Sequence, residues 1–140
     1  MSWTWILRDT ILAIHDEQLA EHGGEPGIRS EASLGSTLDR PKNKARDAHP
    51  SLAELAAAYA FGLAKSRPFL DGNKRTAAVV SELFLHLHNT ELTATDEQVV
   101  ETIEALAAGR TSEEELTSFF KAHTRSINDE PEGRSRIPGR

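Results

Sequence analysis

The sequence predicts an all-α protein folded as a single bundle of about six helices. Two observations support this fold class. Apolar residues recur at helical spacing along most of the chain, and Ser or Thr followed three positions later by Glu or Gln marks several helix starts. Only residues 3–7 and 91–93 favour extended backbone, which is too little for a sheet-based core. A length of 140 residues fits one domain.

The helices follow from start and stop signals taken in chain order. We expect helices at about residues 9–22, 30–38, 51–65, 73–87, 96–108 and 113–123. Pro41 is expected to end the second helix, because proline disfavours helical geometry in the residue before it, and residues 40–50 become a polar connection. The domain is predicted to span residues 1–124. Residues 125–140 are predicted to be a disordered tail.

The third and fourth predicted helices are expected to be the most buried. Ser51 and Glu54 have the spacing of a capping box at the start of the third helix, and apolar residues occupy more than one side of the fourth. Between these helices, Arg67-Pro68 breaks the helical pattern and the run 71–73, Asp-Gly-Asn, has turn chemistry. A loop is therefore expected between two central helices.

Composition narrows the class of function. The chain has no cysteine, which excludes disulfides and thiolate metal sites. A net charge of -6 opposes general attraction to nucleic acids and anionic membranes, so we expect neither as a direct partner. The N-terminus lacks the pattern of a secretory signal, and no apolar run has the length of a membrane span. These features predict a cytoplasmic protein.

The loop between the two central helices carries the residues expected to bind an anion. A helix N-terminus offers unpaired backbone N–H groups and the positive end of the helix dipole. Gly72 allows close approach of a ligand, Asn73 offers an amide donor, and Lys74 and Arg75 add two cations. Cations in the first turn of a helix destabilise it by roughly a few tenths of a kcal/mol, because they lie at the positive end of its dipole. A bound negative ligand would offset this cost.

Two neighbouring residues complete this predicted site. Asp71 is a carboxylate of the kind that Mg²⁺ uses together with phosphate oxygens, and Phe69 is expected to anchor the loop in the core. The same residues are also compatible with a plain capping turn followed by a solvated Lys-Arg pair. From the residues alone, both interpretations stand.

The segment 67–75 resembles the signature of the Fic/Doc family, His-x-Phe-x-Asp/Glu-Gly/Ala-Asn-Gly/Lys-Arg. The similarity extends from the Trp-rich start of the chain to about His123 and is closest to the Doc branch, the death-on-curing toxins of toxin–antitoxin modules. Lys74 stands where the adenylylating branch usually has Gly, and Ala78 stands where that branch has a second Arg. Both residues favour the Doc branch.

This resemblance implies a Fic-type helical bundle and a phosphotransferase of the protein kinase type. Its members are expected to transfer phosphate from ATP or another nucleoside triphosphate, with Mg²⁺, to a hydroxyl of a translation factor, which arrests growth. A cognate antitoxin is the expected regulatory partner. By motif position, Asp71 would bind the metal, Gly72 and Asn73 the phosphates, and Lys74 and Arg75 would neutralise their charge.

One residue departs from the signature, because Arg67 stands at the position of the family's catalytic histidine, the general base. Guanidinium stays protonated at neutral pH, so Arg67 cannot accept a proton. His86 and His88 lie roughly 12 or more residues along the fourth helix, about 18 Å from its start. His15 and His22 are expected to be structural or surface histidines. The chain is therefore predicted to be either an impaired toxin or a silent module that binds nucleotide or antitoxin.

Overall fold

Six α-helices form most of residues 2–127, the part of the chain that this computed structural model describes. The helices are α1 (Arg8–His22), α2 (Glu31–Asp47), α3 (Leu52–Ser66), α4 (Asn73–Leu87), α5 (Asp96–Ala107) and α6 (Glu113–Ala122). Two short strands, β1 (Thr90–Leu92) and β2 (Thr124–Ser126), pair antiparallel. The prediction of an all-α bundle is confirmed. No helix in the described range is both long and apolar enough to cross a bilayer.

Helix α3 is the centre of the bundle. It packs against α2, α4, α5 and α6, and most of its residues are buried. Its alanines let the neighbouring helices approach closely, because a methyl side chain adds little width to a helix. Tyr59 is fully buried, and its hydroxyl accepts a hydrogen bond of 3.0 Å from the backbone N–H of Ile6. Burial raises the pKa of Tyr59 above its ordinary value, so the neutral hydroxyl is the favoured form.

Three helices begin with the capping boxes that the sequence predicts. In each, the side chain of the N-cap residue accepts the N–H of a residue three positions later, whose own side chain accepts the N-cap N–H. The boxes pair Ser51 with Glu54, Thr95 with Gln98, and Ser112 with Glu115. The backbone hydrogen bond from Ser51 lowers the pKa of Glu54. These local contacts explain why the predicted starts of α3, α5 and α6 are correct within a residue.

Helix α2 is longer than predicted, because it continues through Pro41 to Asp47. Proline removes one helical hydrogen bond but does not end a helix that tertiary contacts hold on both sides. Pro41 is buried, and Arg40 lies over the ring of Phe61 at 4.1 Å from the centroid. Arg40 also pairs with Glu113 of α6. The predicted polar connection at residues 40–50 is therefore helical for most of its length.

The first two residues of the predicted tail, residues 125–140, belong to a strand. Residues 124–126 form β2, which pairs with β1, and Arg125 donates to Glu91 at 2.6 Å. A three-residue strand has too few residues for a periodic pattern, so composition alone indicated disorder. The remainder of the predicted tail, residues 128–140, lies outside the described residues.

The contact of α2 with α3 is set by Gly62. A Cβ atom at this position would lie 3.0 Å from Thr37 Oγ1 and 3.1 Å from Thr37 Cα. We expect Gly62→Ala to destabilise the protein by about 1–3 kcal/mol, because the backbone of α2 must move away. Urea unfolding followed by circular dichroism measures this change.

Gly35 provides the matched control in α2. A Cβ atom there meets nothing within 4 Å, so Gly35→Ala should stabilise the helix by up to about 1 kcal/mol through propensity alone. If both substitutions changed the free energy of unfolding in the same direction, the close approach of α2 and α3 would not explain the need for glycine at position 62.

Candidate functional site

The loop of residues 67–72, here called the motif loop, connects α3 to α4 and is held by a second segment. This glycine segment, residues 23–30, follows α1. The carbonyl of Pro68 accepts two backbone N–H groups of the glycine segment, at 2.7 and 3.1 Å, and the N–H of Leu70 donates to the carbonyl of Gly27 at 3.1 Å. The motif loop is thus paired with the glycine segment through one antiparallel bridge, between Ile28 and Phe69.

Asn73 closes the motif loop onto the first turn of α4. Its Oδ1 accepts the N–H of Phe69 at 3.0 Å, and its Nδ2 donates to the carbonyl of Phe69 at 2.9 Å. Phe69 is buried, as predicted. The loop therefore uses the Oδ1 and one of the two N–H groups of the Asn73 amide. The second amide N–H and the backbone N–H of Asn73 donate to no group in residues 2–127.

The N-terminus of α4 is open. Gly72 is the N-cap residue with φ 79°, in the left-handed region, and no side chain caps the helix. Within residues 2–127, the backbone N–H groups of residues 72–75 donate no hydrogen bond, and the N–H of Thr76 is the first to be paired, to Gly72 at 3.0 Å. The first turn contains no acidic residue. Four donors and the positive end of the helix dipole are therefore free to bind an anion.

This helix end opens on a cleft of about 680 Å³. All predicted site residues line it, namely Arg67, Asp71, Gly72, Asn73, Lys74 and Arg75. Lys65 adds a fourth cationic side chain, and in the described range Asp71 and Glu104 are the carboxylates of the lining. Helix α5 also contributes to the lining, with Val100 and Ala107 among its residues. The lining is consequently cationic at the motif and partly apolar where α5 contributes.

Arg67 is the C-cap residue of α3 and has left-handed backbone geometry, with φ 49° and ψ 64°. Arg29 of the glycine segment holds this end of the helix. Its Nε donates to the carbonyl of Arg67 at 2.6 Å, and its Nη2 donates to the carbonyl of Ser66 at 2.5 Å. The guanidinium of Arg29 thereby satisfies carbonyls that the helix leaves unpaired. The side chain of Arg67 is exposed at the edge of the cleft.

Two histidines that the sequence could not place contact the site. His15 of α1 is buried beneath the motif loop, with Nε2 at 2.8 Å from the carbonyl oxygen of Asp71. His22 lines the cleft, and its Nε2 lies 3.4 Å from Nη1 of Arg75. By contrast, His88 at the far end of α4 accepts the N–H of Thr4 at 3.0 Å and is structural. Among residues 2–127, His22 is the histidine that reaches the cleft.

Asp71 has one carboxylate oxygen engaged by the glycine segment. Its Oδ2 accepts the backbone N–H of Glu25 at 2.8 Å. No group of three or more His, Cys, Asp or Glu side chains suited to a metal occurs in the described part of the chain. A divalent cation bound at Asp71 would therefore depend on oxygen atoms of a ligand and of water, which is the usual situation for Mg²⁺ at phosphates.

Comparison with known proteins adds to this geometry. A sequence model of the Fic/DOC family matches residues 5–85. Toxin Doc of Mycolicibacterium smegmatis is 38% identical over 74 residues, which are 51% of this chain and 57% of that protein. Protein kinase doc of Escherichia phage P1 is 32% identical over 88 residues, which are 60% of this chain and 68% of that protein. The family match ends in α4, earlier than the resemblance to about residue 123 inferred from sequence.

Removing the Asn73 amide should destabilise the motif loop. Asn73→Ala leaves the buried N–H and C=O of Phe69 without partners, at a cost of at least about 2 kcal/mol. Lys74→Ala, at the exposed next position, should change the free energy of unfolding by less than about 0.5 kcal/mol. Chemical denaturation of both variants measures the difference, and equal stabilities would contradict the closing role of Asn73.

Proposed function

Because this chain belongs to the Fic/DOC family, we propose that it is a Doc-type toxin, a phosphotransferase of the protein kinase type. The reaction moves the γ-phosphate of a nucleoside triphosphate, with ATP as the first candidate, to a hydroxyl of a translation factor and so arrests growth. The observation that carries this proposal is the uncapped N-terminus of α4 at the mouth of the cationic cleft. One relative is named a toxin and the other a protein kinase, which supports this proposal.

The cleft suits a nucleoside triphosphate in charge and size. Its volume of about 680 Å³ lies within the usual range for small-molecule sites. Free N–H groups at a helix N-terminus bind phosphate oxygens, and the flanking cations offset the charge of a polyphosphate. Those cations, Lys74 and Arg75, sit in the first turn of α4, where the helix dipole alone would favour acids. A bound triphosphate resolves this conflict.

Asp71 is the residue that would hold Mg²⁺. Its Oδ1 has no hydrogen-bond partner in residues 2–127, and it lines the cleft beside the free N–H groups. When bound, the metal would neutralise charge on the transferring phosphoryl group. A single protein carboxylate fits this function, since Mg²⁺ at a nucleotide keeps several water and phosphate ligands.

Phosphate transfer is favoured over transfer of a nucleotidyl group. Ala78 lies one turn after Arg75 on α4, at the position where the adenylylating branch has a second arginine. A methyl group there can form neither a hydrogen bond nor an ion pair with a phosphate. Lys74 replaces the glycine of that branch and adds a cation beside the free N–H groups.

Arg67 leaves this chain without the family's general base. During transfer, the hydroxyl oxygen bonds to the γ-phosphorus, the nucleoside diphosphate leaves, and the hydroxyl proton must be accepted. A guanidinium cannot accept that proton. Loss of a positioned base lowers turnover by about 10² to 10⁴-fold, so we propose an impaired enzyme. A natural pseudoenzyme and an attenuating substitution both account for Arg67.

The partners that we propose follow from the toxin activity proposed for this chain. A protein that arrests translation must be neutralised, which calls for a cognate antitoxin, and its target places it in the cytoplasm. The acidic net charge of -6 disfavours direct binding to nucleic acid or to an anionic membrane.

Arg67 also favours a second candidate function, that of a binding module without catalytic activity. Arg67 removes the base and simultaneously adds a cation to the cleft, which is the expected change for a silent module that binds nucleotide or antitoxin. The two functions differ in one respect. Only the impaired enzyme should regain transfer when the base is restored.

The test compares transfer from γ-labelled and α-labelled ATP to proteins of a cell lysate, using this chain and Arg67→His. We expect γ label only with Arg67→His, at a rate at least about 100-fold above the parent chain. Adding Asp71→Ala should abolish the gain, whereas adding His49→Ala, at an exposed histidine that does not line the cleft, should leave it unchanged. Equal rates for parent and variant would contradict impairment, α label would indicate nucleotidyl transfer, and silence from both would support the binding module.

Substituting Arg67 is expected to lower the affinity for nucleotide, even where it raises the rate of transfer. Arg67→His and Arg67→Gln both remove a cation from the cleft, so each should bind MgATP several-fold more weakly than the parent chain. Calorimetric titration at low and high salt measures this effect, and the difference should shrink as salt screens the charge. Tighter binding by Arg67→Gln would argue against a contribution of Arg67 to the cradle.

A further inference from the structure

We propose that His15 is a positioning residue that orients the peptide unit between Asp71 and Gly72 and so directs the Gly72 N–H into the phosphate site. This inference rests on the proposed function to the extent that the site binds phosphate. His15 lies on α1, far from the signature in sequence, and does not line the cleft itself. It acts through the backbone of the motif loop.

The contact of His15 with the loop determines which ring nitrogen carries a hydrogen. Its Nε2 lies 2.8 Å from the carbonyl oxygen of Asp71. A carbonyl oxygen only accepts hydrogen bonds, so Nε2 must carry the hydrogen. The imidazole ring is also parallel to the ring of Phe69, with centroids 3.7 Å apart and an interplanar angle of 8°. The histidine is 3% exposed, which leaves it little freedom to adopt another position.

The direction of the Gly72 N–H follows from peptide geometry. A trans peptide is planar, and its C=O and N–H groups point in opposite directions. The described chain contains no cis peptide. Because the carbonyl of Asp71 points to His15 under the loop, the N–H of Gly72 must point away from His15. Gly72 lines the cleft, and its N–H has no hydrogen-bond partner in residues 2–127.

An external contact is needed here because glycine restrains its own backbone poorly. Gly72 has φ 79°, a region that glycine enters readily, and it also tolerates the alternatives produced by rotating the preceding peptide. Rotation would turn the carbonyl of Asp71 toward the cleft and oppose a phosphate. The hydrogen bond from His15 disfavours that rotation. The site therefore contains a donor whose direction is set by a residue outside the signature.

The alternative is that His15 only fills space in the core. Three substitutions separate the two functions. In His15→Gln the amide nitrogen stands as many bonds from the backbone as Nε2, so the donor to Asp71 is retained without the ring. In His15→Phe the stacking on Phe69 is retained without the donor, and in His15→Asn the amide stands at the position of Nδ1, too short to reach.

Calorimetric titration of the full chain with MgATP and with inorganic triphosphate tests the proposal. We expect His15→Gln to bind both within about threefold of the parent, and His15→Phe and His15→Asn to bind about tenfold more weakly or worse. Equal binding by the parent and a folded His15→Phe would overturn the inference. If His15→Phe fails to fold, the comparison of His15→Gln with His15→Asn decides in the same way.

Nuclear magnetic resonance provides a readout that needs no ligand. The ¹⁵N shifts of His15 should report the Nε2–H tautomer, and the residual dipolar coupling of the Gly72 N–H should match in the parent and His15→Gln but change in His15→Phe. An Nδ1–H tautomer, or an unchanged coupling in His15→Phe, would overturn the inference. Failure of the parent to bind either probe would instead contradict the proposed function, while these spectra still test the orientation of the peptide.

Discussion

The side chain of Asn73 closes the motif loop by bonding both backbone groups of Phe69, and the geometry of the site depends on this pair of contacts. With the loop closed, Phe69 enters the core and Gly72 becomes the uncapped start of α4. The Asn73 side chain is thereby used to shape the loop and does not cap α4. The helix end is left open, which is unfavourable for an isolated helix and favourable for a phosphate site.

Three residues outside the signature hold the loop from its other side. Arg29 satisfies the carbonyls at the end of α3, Glu25 donates its N–H to Asp71, and His15 contacts the Asp71 carbonyl from below. Because polar backbone groups of the loop are satisfied in these directions, the remaining N–H groups face the cleft. The arrangement concentrates free donors and cations on one side of the loop. Arg67 adds to that positive field while removing the group expected to accept a proton.

Local signals predicted the helical architecture well and failed where distant contacts decided. The capping boxes at Ser51, Thr95 and Ser112 depend on residues three positions apart, so their helices begin where predicted. Pro41 was expected to end a helix, yet packing against α3 and the ion pair of Arg40 with Glu113 keep α2 helical. The strand β2 exists because β1 lies beside it, which no composition reveals.

By itself, the sequence determined the fold class, the order of the helices, and the loop between two central helices whose residues Arg67 and 71–75 line one cleft. These properties depend on residue type and short spacing, which act within a turn or two of the backbone. Tertiary structure decided that the Asn73 amide serves the loop, that His22 reaches the cleft, and that His15 lies under Asp71. The two histidine contacts join α1 to the motif loop and to α4 across separations of 56 and 53 positions, so only the packing of the bundle brings these groups together. The Asn73 amide meets Phe69 four positions away, and the folded shape of the loop decides that contact.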